Sequence, residues 1–348
     1  MKSQTYYEKR EISCLERINL IVDTLPYYVQ DFFVGVELRT SALSRLNYSY
    51  DLRIFFDFLS KRIFRTKKVV DIELSDLAKL EATDFEYFLS YLSNYEINSK
   101  KERCTETGKA RKLSTLRAFY KFFFNRNQLP ANTPAKVSMP KIHEKEIIRL
   151  DSNEKVDEIG DMLYTVETGA GLTKHQLAFH ESTKLRDTAI ITLFLGTGIR
   201  ISELVGLNLD DVDLKTNSFV VTRKGGNRAV LYFNDQVASA LNIYIESREN
   251  DKDSALFLSL QNKRISTRTV QDLVKKYAKI ISPLKKITPH KLRSTFGTNL
   301  YKQTGDIYVV ADCLGHKDVN TTKKHYAAIT EDIRKKAAVS LTLTNEDK

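Results

Sequence analysis

The chain has 348 residues, 42% hydrophobic and 28% charged, which excludes a disordered polymer and provides apolar mass for two cores. No apolar run approaches the length of a membrane-crossing helix, and the stretch from Met1 to Glu8 lacks an apolar signal core, so a cytoplasmic protein that does not engage a membrane is expected. A net charge of +11 points to a polyanionic partner, and Cys14, Cys104 and Cys313, without CxxC spacing, read as free thiols.

Residues 1–20 read as an N-terminal extension. From Leu25 to Gln128 apolar residues recur at three and four: Tyr50, Ile54, Phe55 and Phe58, then Phe85, Phe88, Leu89 and Leu92, then Leu113, Leu116, Tyr120 and Phe123. That period predicts a bundle of four or five helices. Lys100 to Arg126 carries nine basic residues against two acidic ones, which concentrates most of the charge imbalance in one segment. The helix from Arg111 to Phe124 places its apolar residues on one face, with Arg111, Lys112, Arg117 and Lys121 mostly away from it. With Lys109 these are the expected contacts to a nucleic-acid backbone, and Thr105, Thr107, Ser114 and Thr115 are expected to add donors to phosphates.

Three prolines, Pro130, Pro134 and Pro140, fall within eleven residues that have no apolar period, and they mark a linker. The expected division is therefore a helical domain over 1–137, a linker over 138–150 and a second domain over 151–348. In that second domain Ser152 to Leu163 reads as a helix, and Glu167 to Thr183 is an insert without a clear assignment. Leu185 to Leu195 reads as a buried helix that ends at Gly196-Thr197-Gly198. Phe219 to Arg223 and Arg228 to Phe233 are β-rich and joined by Lys224-Gly225-Gly226-Asn227, a hairpin signature. Helices are then expected over Asp235–Glu246, Ser266–Ile281, His290–Gln303, Tyr308–Leu314 and Glu331–Ser340.

The residues with chemical potential suit a phosphodiester. Attack on phosphorus builds charge on the non-bridging oxygens, and arginine supplies a permanent cation with a planar fork of donors. Arg200 follows the glycine pair Gly196 and Gly198, and Glu203, three residues on, is placed to brace it. No Gly-Lys-Ser/Thr follows, so a nucleotide-binding P-loop is disfavoured. His290 and Arg293 stand three apart on the first turn of a helix, whose N-terminus favours anions. Lys224 sits at the hairpin tip, flanked by Arg223 and Arg228. Leu314-Gly315-His316 and Tyr326 complete the set. No Asp, Glu, His or Cys cluster has the spacing of a nuclease metal site; His175 and His180 fall in the unassigned insert.

In this order and spacing the fragments Gly198-Ile199-Arg200, Arg223-Lys224-Gly225-Gly226, His290-Lys291-Leu292-Arg293, Leu314-Gly315-His316 and Tyr326 resemble the tyrosine recombinases, the family of phage integrases and Xer-type resolvases. The resemblance covers nearly the whole chain. It implies a mainly α fold with a small antiparallel β-sheet: a helical, SAM-like core-binding domain followed by a mixed α/β catalytic domain. It also implies a catalytic set of Arg200, Lys224, His290, Arg293, His316 and Tyr326. Tyr326 would be the nucleophile that forms a 3′-phosphotyrosyl intermediate, and Lys224 the general acid for the leaving 5′ oxygen. Arg200 and Arg293 would clamp the phosphate, His290 would assist proton removal and His316 would hold a non-bridging oxygen. Neither cofactor nor metal is implied. The expected partners are double-stranded DNA and a homo-tetramer on two sites, with the helix from Glu331 to Ser340 docked on a neighbour.

Tyr326 stands ten residues after His316, an interval that looks like certain mobile-element integrases; many Xer-type members use nine, where this chain has His325. Tyr308 and Tyr301 are the second choices for nucleophile. The layout resembles Xer enzymes that resolve chromosome dimers. A mobile-element integrase, a type IB topoisomerase and a non-catalytic DNA-binding protein are the alternatives.

Overall fold

The computed structural model describes residues 5–97, 100–142, 148–152, 156–223, 226–248, 253–315 and 319. Lys224, His316, Tyr326 and the expected helix from Glu331 to Ser340 lie outside them. The chain forms two compact units, Met1–Lys145 and Glu146–Lys348.

The first unit is helical. Helix α1 (Tyr6–Val22) starts at a capping box in which Thr5 and Glu8 satisfy each other's backbone N–H groups. Most of the expected extension therefore belongs to a helix, and Cys14, Ile18, Ile21 and Val22 anchor it in the core. Next come α2 (Val29–Val36) and α3 (Ala42–Phe58), which runs on into a π turn over Leu59–Ile63. After α4 (Leu74–Leu77) and α5 (Ala82–Tyr91), strands β1 (Tyr95–Ile97) and β2 (Lys100–Glu102) pair antiparallel, and α6 (Glu106–Phe124) closes the unit. The small hairpin buries none of its residues fully, so it lacks the alternating apolar pattern that would have revealed it. Phe32, Phe55, Phe56, Phe85, Phe88, Phe119 and Phe123, all at most 1% exposed, fill the centre. They meet mostly edge to face, as in the Phe32–Phe119 pair at 5.2 Å.

Helix α6 departs from its expected polarity. Lys112 is buried, with its ammonium 2.7 Å from the carboxylate of Asp51 on α3. The same buried carboxylate accepts from both Nη atoms of Arg111 and from the Thr115 hydroxyl at 2.8 Å. Arg117 turns to the chain that follows, donating to the carbonyls of Pro134 and Val137. The buried Asp51 carboxylate on a neighbouring helix has drawn Lys112 in.

In the second unit α7 (Glu158–Thr168) begins later than expected, because the Asp157 side chain caps it by accepting from Gly160 N–H. The unassigned insert is partly helical: α8 (Lys174–Thr197) starts at a Thr173/Gln176 capping box and runs through it. His180 lies buried within, its Nε2 2.9 Å from the Val166 carbonyl, and it is structural. The second half of α8, with Ala189, Ile190, Ile191, Leu193 and Phe194 inaccessible, is the central helix, packed against its neighbours on several sides. Helix α9 (Ile201–Gly206) follows, then strands β3 (Val212–Asp213), β4 (Ser218–Thr222) and β5 (Arg228–Tyr232) in the antiparallel order β3-β4-β5, with Val220 opposite Val230. Helices α10 (Asp235–Glu246), α11 (Thr267–Ile281), α12 (Pro289–Thr304) and α13 (Ile307–Leu314) complete the described unit.

The chain entering this unit is fastened to α12. Leu150, almost inaccessible, donates its N–H to the Thr295 hydroxyl at 3.0 Å. Lys285, in the loop before α12, reaches Asp151 at 2.7 Å and Glu158 at 2.6 Å. The Lys285 bond holds the Asp151 carboxyl below the usual carboxylate range. Burial pushes Glu158 up, but bonds from Lys285, the Asp151 N–H and Ser282 outweigh it and leave Glu158 low as well. Depressed carboxyl values contribute stability that is present above the ordinary carboxylate range and is lost as pH falls through the depressed folded values. Lys285→Met is therefore expected to lower stability at neutral pH and to flatten its decline between about pH 5 and 3. Chemical denaturation at a series of pH values checks this; parallel profiles for parent and variant would contradict it.

Candidate active site

Three elements of the second unit converge on the C-terminus of α13. Helix α8 ends at Gly198, which takes a left-handed conformation (φ +61°). A Cβ at Gly198 would lie 2.4 Å from the Phe296 ring and 3.0 Å from Leu314, so only glycine fits this reversal. The turn places Arg200 at the N-cap of α9. There Glu203, 4% exposed, accepts from the Arg200 backbone N–H at 3.0 Å and from its Nη1 at 2.8 Å. The guanidinium is thereby aimed, and its Nη2 donates to the Gly315 carbonyl at 3.0 Å.

Arg293 lies on α12 and is 6% exposed. Its Nη1 donates to the Gly198 carbonyl at 2.5 Å and its Nη2 to the Leu314 carbonyl. His290 precedes it by one helical turn, directly after Pro289 at the helix start, and is exposed. Arg200 and Arg293 thus meet across two glycine-terminated helix ends. The last carbonyls of α13 have no helical partners and form the negative end of its dipole, so arginine forks suit them and are oriented by them.

Arg223, directly after β4, joins the same place. Its Nη2 lies 3.5 Å from the Cys313 carbonyl, and a Cβ on Gly315 would come within 2.3 Å of its guanidinium. Lys224 and His316 are outside the described residues, but their sequence neighbours Arg223 and Gly315 are in contact. In the sequence Arg223 stood out only as a neighbour of Lys224; the signal for its packing was the bare Cα of Gly315. Of the second-choice tyrosines, Tyr301 is packed with Val310 and Leu314, whereas Tyr308 is 70% exposed on the first turn of α13.

In the first unit the five expected nucleic-acid contacts separate into two groups. Lys121 is exposed, Arg111 keeps 46% of its side chain accessible despite its bond to Asp51, and Lys109 pairs with Glu106 at 2.8 Å. Lys112 and Arg117 are committed to internal partners, as are the hydroxyls of Thr105, which caps α6, and of Ser114 and Thr115. Among the described residues no three His, Cys, Asp or Glu side chains are grouped to hold a metal ion, and no helix is long and apolar enough to cross a membrane.

Comparison with known proteins gives a consistent set of relatives. Residues 158–332 match the Phage integrase family. The chain is similar to the tyrosine recombinase XerC of Caldanaerobacter subterraneus, 34% identical over 91% of this chain and 86% of that protein. It is also similar to the tyrosine recombinase XerS of Streptococcus pneumoniae, 32% identical over 96% of this chain and 100% of that one. Its fold resembles that of the XerH site-specific recombinase bound to palindromic difH substrate in a post-cleavage complex, with TM-score 0.67 and 16% identity over 97% of this chain and 91% of that one. The Tn1549 transposon integrase in complex with circular intermediate DNA shares the fold at TM-score 0.62 and 17% identity, over 88% of this chain and 97% of that one.

Proposed function

This chain belongs to the phage integrase family, the tyrosine recombinases that cleave and rejoin DNA at specific sites, and from that membership we propose that it performs Xer-type resolution of chromosome dimers. The observation that carries the reading is the convergence of Arg200 and Arg293 on the end of α13, one residue before His316, in a chain alike over nearly its full length to the curated relatives XerC and XerS. Two braced guanidiniums at one point form a preorganised receptor for a phosphate and for the charge that develops on it.

In the proposed reaction the Tyr326 oxygen attacks the phosphorus. The P–O5′ bond breaks, and the 5′ oxygen leaves with a proton from Lys224. The product is a 3′-phosphotyrosyl link and a free 5′-hydroxyl, and a 5′-hydroxyl from the second duplex reverses the step. Arg200 and Arg293 hold the non-bridging oxygens together with His316, while His290 assists loss of the phenolic proton. The bond energy stays in the phosphotyrosine, so rejoining needs no nucleotide. Lys109, Arg111 and Lys121 contact the DNA backbone, and four copies assemble on two sites through their C-terminal segments.

The test uses nicked suicide duplexes carrying the genomic sequence that the protein retains in a selection from fragmented chromosomal DNA. The parent chain is expected to become covalently linked to the 3′ side of the break, and Tyr326→Phe to form no adduct. An adduct that survives Tyr326→Phe would remove Tyr326 as nucleophile. Retained sequences lying at the ends of a mobile element, rather than at a single chromosomal locus, would overturn dimer resolution.

A further inference from the structure

Cys313, Leu314 and Gly315 present three successive carbonyls, and each receives a guanidinium from a different element. Arg293 of α12 takes Leu314, Arg200 at the start of α9 takes Gly315, and Arg223 at the end of β4 approaches Cys313. The first two are the phosphate ligands of the reading above, and the third has no role in it. Arg223 is poorly matched to a purely capping task. Its contact of 3.5 Å is at the outer limit of a hydrogen bond, and its Nε is buried with no acceptor among the described residues. A buried donor without a partner is costly, and a site that awaits an anionic ligand explains it. The side chain also occupies the space over Gly315 that any other residue would fill, which keeps the guanidinium beside the carbonyl that Arg200 binds.

We propose that Arg223 is a third phosphate-binding arginine, directing its Nε–H at a non-bridging oxygen of the DNA phosphate clamped by Arg200 and Arg293. The assignment rests on the recombinase reading. Arg223 exchanges no proton and forms no bond; it adds positive charge where the attack builds negative charge.

The experiment measures single-turnover adduct formation on the nicked duplex with a normal scissile phosphodiester and with a neutral methylphosphonate at the same position. Arg223→Ala is expected to slow the phosphodiester reaction by about 100-fold, with partial recovery in Arg223→Lys. The deficit is expected to shrink on the methylphosphonate, which offers one fewer non-bridging oxygen and one unit less negative charge for the third cation to meet. An equal deficit on both substrates, or none on either, overturns the assignment and leaves Arg223 as a cap for α13. Nuclear magnetic resonance gives a second readout that does not depend on turnover. The Arg223 Nε–H signal, identified by its loss in Arg223→Lys, is expected to shift when the duplex is added to Tyr326→Phe protein, and an unmoved signal overturns the proposal. Failure of the parent chain to form any adduct would instead sink the recombinase reading itself.

Discussion

Arg200→Ala is expected to slow covalent adduct formation on a nicked duplex by about 100- to 1000-fold, the range seen when one preorganised donor to a developing oxyanion is removed. The size follows from how the side chain is held. Glu203 fixes both the backbone and one Nη of Arg200, so the guanidinium reaches the end of α13 with little orientation left to lose when a phosphate arrives. Arg200→Lys separates charge from shape. It keeps a cation beside the buried Glu203 carboxylate but loses the fork that binds two points at once, and its rate is expected to fall between parent and alanine. Circular dichroism of both variants checks that the fold persists while single-turnover kinetics reads the loss. An alanine variant as fast as the parent would take Arg200 out of the reaction.

Asp51→Ala is expected to cost the first unit about 3–5 kcal/mol, because removing one member of a buried ion cluster strands the others. The Asp51 side chain is wholly inaccessible and Lys112 retains only 6% of its own, so the lysine would be left charged in the core or forced out of it. Asp51→Ala combined with Lys112→Met is expected to recover most of the loss, since apolar volume replaces the stranded charge. Urea denaturation of the single and double variants measures both; a single variant as stable as the parent would mean that water reaches the cluster. The same geometry separates the basic residues of α6 by role. Lys121→Ala is expected to weaken DNA binding and reduce its salt dependence, whereas Lys112→Ala acts through stability and leaves the salt slope unchanged.

What could be read beforehand and what could not divide along one line. The β4–β5 hairpin, the capped and periodic helices and the placement of Arg200 after a glycine turn are written in residues a few positions apart. The fate of Lys112 is not: its partner Asp51 lies on a different helix, far away in sequence, and an isolated helical wheel gives lysine no reason to face inward. The start of α8 was legible, since Thr173 and Gln176 carry the capping-box signature, but a neighbouring glycine and a mixture of polar residues obscured it. Arg200 and Arg293, which the structure brings to one place, were singled out by type and spacing. That the carbonyls of Gly198, Leu314 and Gly315 aim the arginines depends on helices meeting end to end, which no local pattern encodes.

The fastening of Leu150 and Asp151 also bears on the site. The chain entering the second unit is held by the Leu150 bond to Thr295, two residues from Arg293, and by the Lys285 anchor just ahead of His290. The entry to the second unit is thus pinned to the same helix that carries His290 and Arg293.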